Sequence, residues 1–352
     1  MDFSTVHSRL GQGDDSPESV TWGKGMVNSL LWVAQAQQKL LAELPGQTPL
    51  LKLDVLRPGG QKLYLKDESW NPVGSWRQRV ARVLFLHALN QRQLEADKPV
   101  ISNSPPAMAI AEAWYAQMLG LPYVAVIPDH CPLKESMQIE FCSGICHRVA
   151  LDTLQDATKE VASELTGVQF NNLTADVSLL RTSAEPLVRE TQEQLALSAS
   201  ECSGVTFLIG ASEQELNKAL SVLHDESRCN QALYVMVAGM DYQQRDINPQ
   251  HLEGALSEIS PAASQAGVEW LNDLTGRRFS LETGAAYVAL MEGGAPLDAA
   301  NYLVIVAESA GCHESDQLMT RTKREWLRYR ESLQLERWTD KLPHPPGEPE
   351  TD

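Results

Sequence analysis

Several side chains in this sequence are chemically capable, and their spacing limits what they can do. Cys142, Cys146 and His147, with Cys131 upstream, could suggest a metal centre. Their spacing is not that of a zinc ligand pair, so buried, inert thiols are the better expectation. Cys312 and His313 are adjacent, but adjacency along the chain does not bring a thiol and an imidazole face to face. Arg77 has the forked guanidinium that suits a carboxylate or phosphate, and Glu213 could serve as a base, so a cofactor-free site for small anions is one reading. The run Arg321 to Arg330 is locally basic and carries Trp326, Leu327 and Tyr329. It reads as a surface helix packed on the body, or as a docking segment for a partner or an anionic surface. Asn172-Leu173-Thr174 fits a glycosylation sequon, which carries no meaning without secretion.

These residues sit in a chain of 352 residues with a net charge of −17. That acidity argues against general nucleic-acid binding, which requires cations to neutralise phosphates. The six Cys are scattered, as expected of reduced thiols and not of a disulfide framework. There is no apolar run long enough for a membrane span and no basic-then-apolar leader, so the expected location is cytoplasmic.

The elements that must position the candidate residues alternate. Helices are expected over 25–44, 75–90, 107–119, 133–143, 153–166, 183–198, 213–224 and 282–291. Strands are expected over 50–56, 62–65, 100–103, 123–127, 148–151, 205–210, 233–238 and 302–307. Alternation of this kind predicts an α/β fold with parallel sheets flanked by helices. Residues 1–24 read as a loose arm, 316–342 as a charged terminal helix, and the proline-rich 343–352 as a disordered tail.

Three segments together resemble the fold-type II pyridoxal-phosphate (PLP) enzymes, in the cysteine synthase/cystathionine β-synthase branch. The first runs Thr48-Pro49-Leu50, then Tyr64-Leu65-Lys66-Asp67-Glu68, then Asn71-Pro72-Val73-Gly74-Ser75-Trp76-Arg77-Gln78-Arg79. It is similar to the family's T-P-L, Y-x-K-x-E and N-P-x-G-S-x-K-D-R. The family's last lysine forms the Schiff base with PLP, and its place is held here by Arg77. A guanidinium stays protonated and cannot attack an aldehyde. Lys66 matches a different family lysine and is not expected to substitute.

The second segment, Ser102-Asn103-Ser104-Pro105-Pro106-Ala107-Met108, overlies the family's S-G-N-T-G loop, ahead of Leu119 to Pro128. The resemblance makes Ser104, Pro105, Pro106 and Met108 degenerate substrate positions, and Ala107 a degenerate cofactor position. The prolines also remove backbone donors. In the third, Thr206 to Gly210 leads into Ala211-Ser212-Glu213-Gln214-Glu215, where the family has a glycine loop that binds the cofactor phosphate at a helix N-terminus. Glu213 and Glu215 would repel a phosphate there. Ser280 to Ala286 resembles the family's G-x-S-S-G-A-A. Thr283 could keep a hydroxyl toward the pyridine nitrogen, while Glu282 departs from the pattern. Val304 to Gly311 resembles the closing V-V-x-x-P-D-S-G.

The resemblance implies two α/β domains about a cleft. A smaller one (70–180) is inserted in a larger one (46–69 with 181–315), and homodimers are the rule. The expected function is a pseudoenzyme with no intact catalytic residue, no PLP and no metal, acting by binding, regulation or scaffolding of a protein partner or a small anionic ligand. The alternatives are a divergent PLP-dependent lyase or β-replacement enzyme of amino-acid metabolism, and the cofactor-free anion site.

Overall fold

A computed structural model describes residues 22–43, 47–55, 62–170, 177–198, 205–210, 229–237, 256–291 and 302–309. Two sheets organise them. The larger contains β1 (Leu50–Leu53), β2 (Lys62–Asp67), β7 (Val205–Gly210), β8 (Cys229–Val237), β9 (Leu256–Ile259) and β10 (Tyr302–Ala307), in the order β1-β2-β10-β7-β8-β9. The smaller contains β3 (Val100–Ser102), β4 (Tyr123–Pro128), β5 (Gly144–Val149) and β6 (Val168–Phe170), in the order β5-β4-β3-β6. Among the described strand pairs only the edge pair β1–β2 is antiparallel; the others are parallel. The α/β expectation therefore holds. Every residue of β7 and β10 is buried, as parallel strands covered on both faces require.

Helices α1 (Trp22–Ala42), α2 (Arg77–Asn90), α3 (Pro106–Leu119), α4 (Leu133–Phe141), α5 (Leu154–Glu164) and α6 (Val177–Ser198) precede β7. Helices α7 (Pro261–Thr275) and α8 (Leu281–Met291) precede β10. The largest core cluster joins α2 and α3 to strands of both sheets, with Trp76, Phe85, Tyr115, Val100, Phe207 and Val304 all fully or nearly fully buried. A second cluster packs α7 and α8 on the other face of the large sheet. Those two helices approach closely: a Cβ on Gly267 would overlap the Gly284 backbone, and one on Gly284 the Ser264 carbonyl.

Termini follow local chemistry. Helix α3 opens on Pro105 as cap and Pro106 in its first turn, and closes on Gly120 at φ 76°, a left-handed conformation that glycine adopts without strain. Helix α7 opens on Ser260, whose hydroxyl accepts from the Ala263 amide at 3.2 Å, and its first residue is Pro261.

Several sequence expectations are corrected. Helix α1 begins at Trp22, inside the stretch read as a loose arm. Strand β1 stops at Leu53, not Leu56, and α2 begins at Arg77, not Ser75, because Gly74 at φ 73° and the turn Ser75–Trp76 come first. The strand expected at 148–151 lies at Gly144–Val149, so Cys146 and His147 belong to β5. Helix α6 starts at Val177, six residues before the expected 183. Strands β6 and β9 and helix α7 were not anticipated. The helices expected at 213–224 and 316–342 and the tail 343–352 lie outside the described residues, as do Asn172, Cys312 and the basic run 321–330.

Candidate functional site

The family-like string folds into one buried polar knot on the scaffold side of α2. Glu68, at 0% exposure, follows β2 in a short 3-10 turn. Its carboxylate accepts from Thr48 Oγ1 (2.7 Å), Asn71 Nδ2 (2.7 Å), and Arg79 Nε and Nη2 (both 2.8 Å). Arg79 thus makes the two-pronged fork that a guanidinium offers a carboxylate. Its Nη2 also meets Glu190 of α6 at 3.1 Å. Lys66, equally buried, donates to Thr48 O (2.8 Å), Glu190 Oε1 (2.8 Å) and Gln194 Oε1 (2.9 Å). Burial alone would push the Glu68 carboxyl up, but the Arg79 charge and hydrogen bonds outweigh it and hold Glu68 below its ordinary value. For Lys66 burial wins and draws the amine down. The motif's Thr, Lys, Glu, Asn and second Arg are therefore one structural unit, and Lys66 is fully engaged in it.

The other side of the same turn carries Arg77. It is 2% exposed and forms an ion pair with Glu308, just beyond β10, at 3.5 Å. Ser75 Oγ donates a short hydrogen bond to the same carboxylate and accepts from the Arg77 amide at 3.1 Å. The backbone adds further stitches. Ser309 N donates to Gly74 O at 2.9 Å, and a Cβ on Gly74 would lie 2.6 Å from Ser309 Cβ, so glycine is required by both space and φ. Ser280 N donates to Glu308 O at 3.0 Å.

Thr283, in the first turn of α8, is brought to this region, but its hydroxyl is committed. It lies 2.9 Å from Ser280 Oγ and accepts from Glu308 N at 3.3 Å. Glu282 beside it is 3% exposed and packs against the end of β7: its Cβ would be 2.8 Å from a Cβ on Gly210. Gly210 is the last described residue before Ala211. Ala211, Ser212, Glu213, Gln214 and Glu215 themselves lie outside the described residues.

The Ser104–Met108 segment forms the start of α3. Pro105 and Pro106 offer no N–H, and Met108 N is turned inward to Pro105 O at 2.8 Å. Ser104 Oγ accepts from Ser102 Oγ (2.8 Å) and donates to buried Glu112 (2.8 Å), whose other oxygen accepts from Tyr123 OH at 2.6 Å. Burial pushes the Glu112 carboxyl up, against the hydrogen bonds that lower it. Ala107 is 8% and Met108 4% exposed.

Cys131, Cys142 and Cys146 are buried thiols, and burial raises Cys142. Among the described residues no group of three His, Cys, Asp or Glu is arranged to hold a metal, and no helix is long and apolar enough to cross a membrane. Sequence reasoning missed Glu308, Glu190 and Gln194. Glu308 falls on the proline place of the closing P-D-S-G pattern, and a charge at that place was a usable signal. The two residues from α6 gave none.

Comparison with known proteins points the same way as the string. Residues 41–205 match the family described as pyridoxal-phosphate dependent enzyme. The chain is 37% identical over 109 residues to an L-cysteine desulfhydrase, Cds1, of Mycobacterium tuberculosis, covering 31% of this chain and 30% of that one. It is 31% identical over 144 residues to an O-acetylserine dependent cystathionine β-synthase of Bacillus subtilis, covering 38% and 46%. These alignments thus span less than half of either relative. The fold is similar to that of O-ureido-L-serine synthase (TM-score 0.64, 18% identity, 83% of this chain and 98% of that one). It also resembles O-acetyl serine sulfhydrylase isoform 3 from Entamoeba histolytica (TM-score 0.64, 13% identity, 88% and 94%). With Thr48, Lys66, Glu68, Asn71 and Arg79 knotted together, the chain has the fold of the fold-type II pyridoxal-phosphate enzymes, and over residues 41–205 it is similar in sequence to their cysteine synthase/cystathionine β-synthase branch.

Proposed function

We propose that this chain is a member of its family that does not form a Schiff base with PLP and works by binding, as a homodimer in the cytoplasm. One observation carries the reading: at the place of the Schiff-base lysine stands a buried guanidinium paired with Glu308. A guanidinium stays protonated near neutrality and offers no nucleophile. The fit to the cofactor is poor elsewhere too. Glu282 packs on Gly210, where the approach to a phosphate should stay open and neutral. Thr283 Oγ1 already accepts a backbone N–H. The amide-bearing place of the substrate loop is Ala107, in a helix start that has lost two N–H donors to proline. No step through the coenzyme follows from these residues.

The test is purification with excess PLP, followed by visible spectroscopy and borohydride reduction. The expected result is no Schiff-base band and no lysine adduct. A stoichiometric adduct, mapped to any lysine by peptide mass, overturns the reading.

A second reading has its own support. The 37% identity over 109 residues is to a protein named as a cysteine desulfhydrase, and this favours a divergent PLP-dependent lyase or β-replacement enzyme. Sulfide release from L-cysteine, dependent on added PLP and lost on heat denaturation, would establish it. The cofactor-free anion site at Arg77 has less support, because Glu308 already neutralises that guanidinium.

A further inference from the structure

A groove of about 400 Å³ lies between α2 and α6, away from the Arg77–Glu308 pair. Its walls are amphipathic. Val83 and Leu86 of α2 face Leu179 and Pro186 of α6, and Arg79 and Arg82 line the same space. The volume falls in the range of small-molecule sites, and an apolar lining with a few fixed polar groups is their usual character.

The charges in the groove are unusual for an acidic chain. Arg82 is half-buried, and its Nε donates to Leu40 O at 2.7 Å. No carboxylate among the described residues pairs with it. Burial draws its guanidinium down, as expected of a cation taken from water without a counter-ion. Arg79 is 3% exposed, and its Nη1 is a buried donor with no hydrogen-bond partner. An orphaned buried donor carries a desolvation cost that a ligand oxygen would relieve. Arg79 is held rigidly by Glu68 and Glu190 on its other edge, and Lys66 shares Glu190. Arg79 and Lys66 are thus balanced by Glu68 and Glu190, and Arg82 is left as one positive charge in excess. Glu68 and Glu190 disfavour a dianion, so the balance suits a single negative charge.

We infer that this groove is a binding site for an amphiphilic monocarboxylate, with the carboxylate on Arg82 and within reach of Arg79 Nη1, and the hydrocarbon body against Val83, Leu86, Leu179 and Pro186. The site is separate from the family's cofactor position and does not depend on whether PLP is bound.

The experiment is titration of the full chain with sodium hexanoate, read by calorimetry and by the rise in melting temperature that a native-state ligand produces. Hexanol and inorganic phosphate are the controls. Saturable hexanoate binding is expected, with neither control binding comparably. Arg82→Gln should weaken it by about tenfold or more. Thr182→Trp, a substitution at an exposed residue of the α6 wall that leaves every charge in place, should block it and cover the case in which the arginine variant fails to fold. Arg77→Gln should leave it within about twofold. No saturable binding, equal binding of hexanol or phosphate, or a loss in Arg77→Gln with retention in both groove variants overturns the inference.

Discussion

The first turn of α2 holds two buried arginines, two residues apart, and they sit in different kinds of place. Arg79 enters a knot in which Glu68 accepts from three side chains and the guanidinium contacts are as short as 2.8 Å. Arg77 meets its carboxylate at 3.5 Å, with Ser75 as an added donor. A buried charge is tolerable only when its partners repay the lost hydration. The knot repays it with a fork of hydrogen bonds set by β1, β2, α2 and α6 together. The Arg77 pair includes a longer ion-pair contact and the Ser75 hydroxyl. The difference teaches that one motif can combine residues that build the scaffold with a residue that faces the site, and that the two need not change together.

Breaking the knot should be the costliest test. Arg79→Met leaves Glu68 buried and ionised without its fork, and is expected to lower stability by about 3–5 kcal/mol in urea denaturation. Arg77→Met should cost less, about 1.5–3 kcal/mol, because Ser75 still donates to Glu308. If the two losses prove equal, the contrast fails. Arg77→Lys keeps the charge and should cost less stability than Arg77→Met. It should also leave the chain unable to take up PLP, because Glu282, Ala107 and the proline start of α3 remain. Stoichiometric uptake by this single variant, seen as a visible band, would show that position 77 alone decides cofactor binding.

Glu112 sharpens the contrast as a buried acid that has only hydroxyl donors among its described contacts. Its carboxyl is raised by burial. A raised folded value means that Glu112 contributes stability at pH below its ordinary 4.5, and that this contribution is lost as pH rises through the folded value. Glu68 has the opposite sign: its contribution is present above 4.5 and is lost as pH falls through its lowered folded value. Glu112→Gln should therefore flatten the decline in stability with rising pH and leave the acid limb unchanged. An unaltered slope would mean that the group does not titrate differently on folding.

Much of this arrangement was readable in the chain. β7 and β10 run over the expected residues because continuous apolar, β-branched stretches bounded by polar residues have few alternatives. β5 was misplaced because His147 and Arg148 dilute its apolar signal, and pairing with β4 overrides it. α7 was missed although Ser260-Pro261 is a usable start signal. At the site, Arg77, Ala107 and Thr283 stood out by position. What they touch did not, since Ser75 and Glu308 are 233 residues apart in the chain. Tertiary partners at that separation leave no local trace.

The proline start of α3 has an asymmetric consequence. Amides in a helix's opening turn have no intrahelical acceptor, so replacing two of them with proline takes almost nothing from the folding equilibrium. The same replacement disarms a helix end as a receptor for anions. Variation there meets little resistance from stability in either direction, so the start of this helix can gain or give up anion-receiving amides while the fold stays in place.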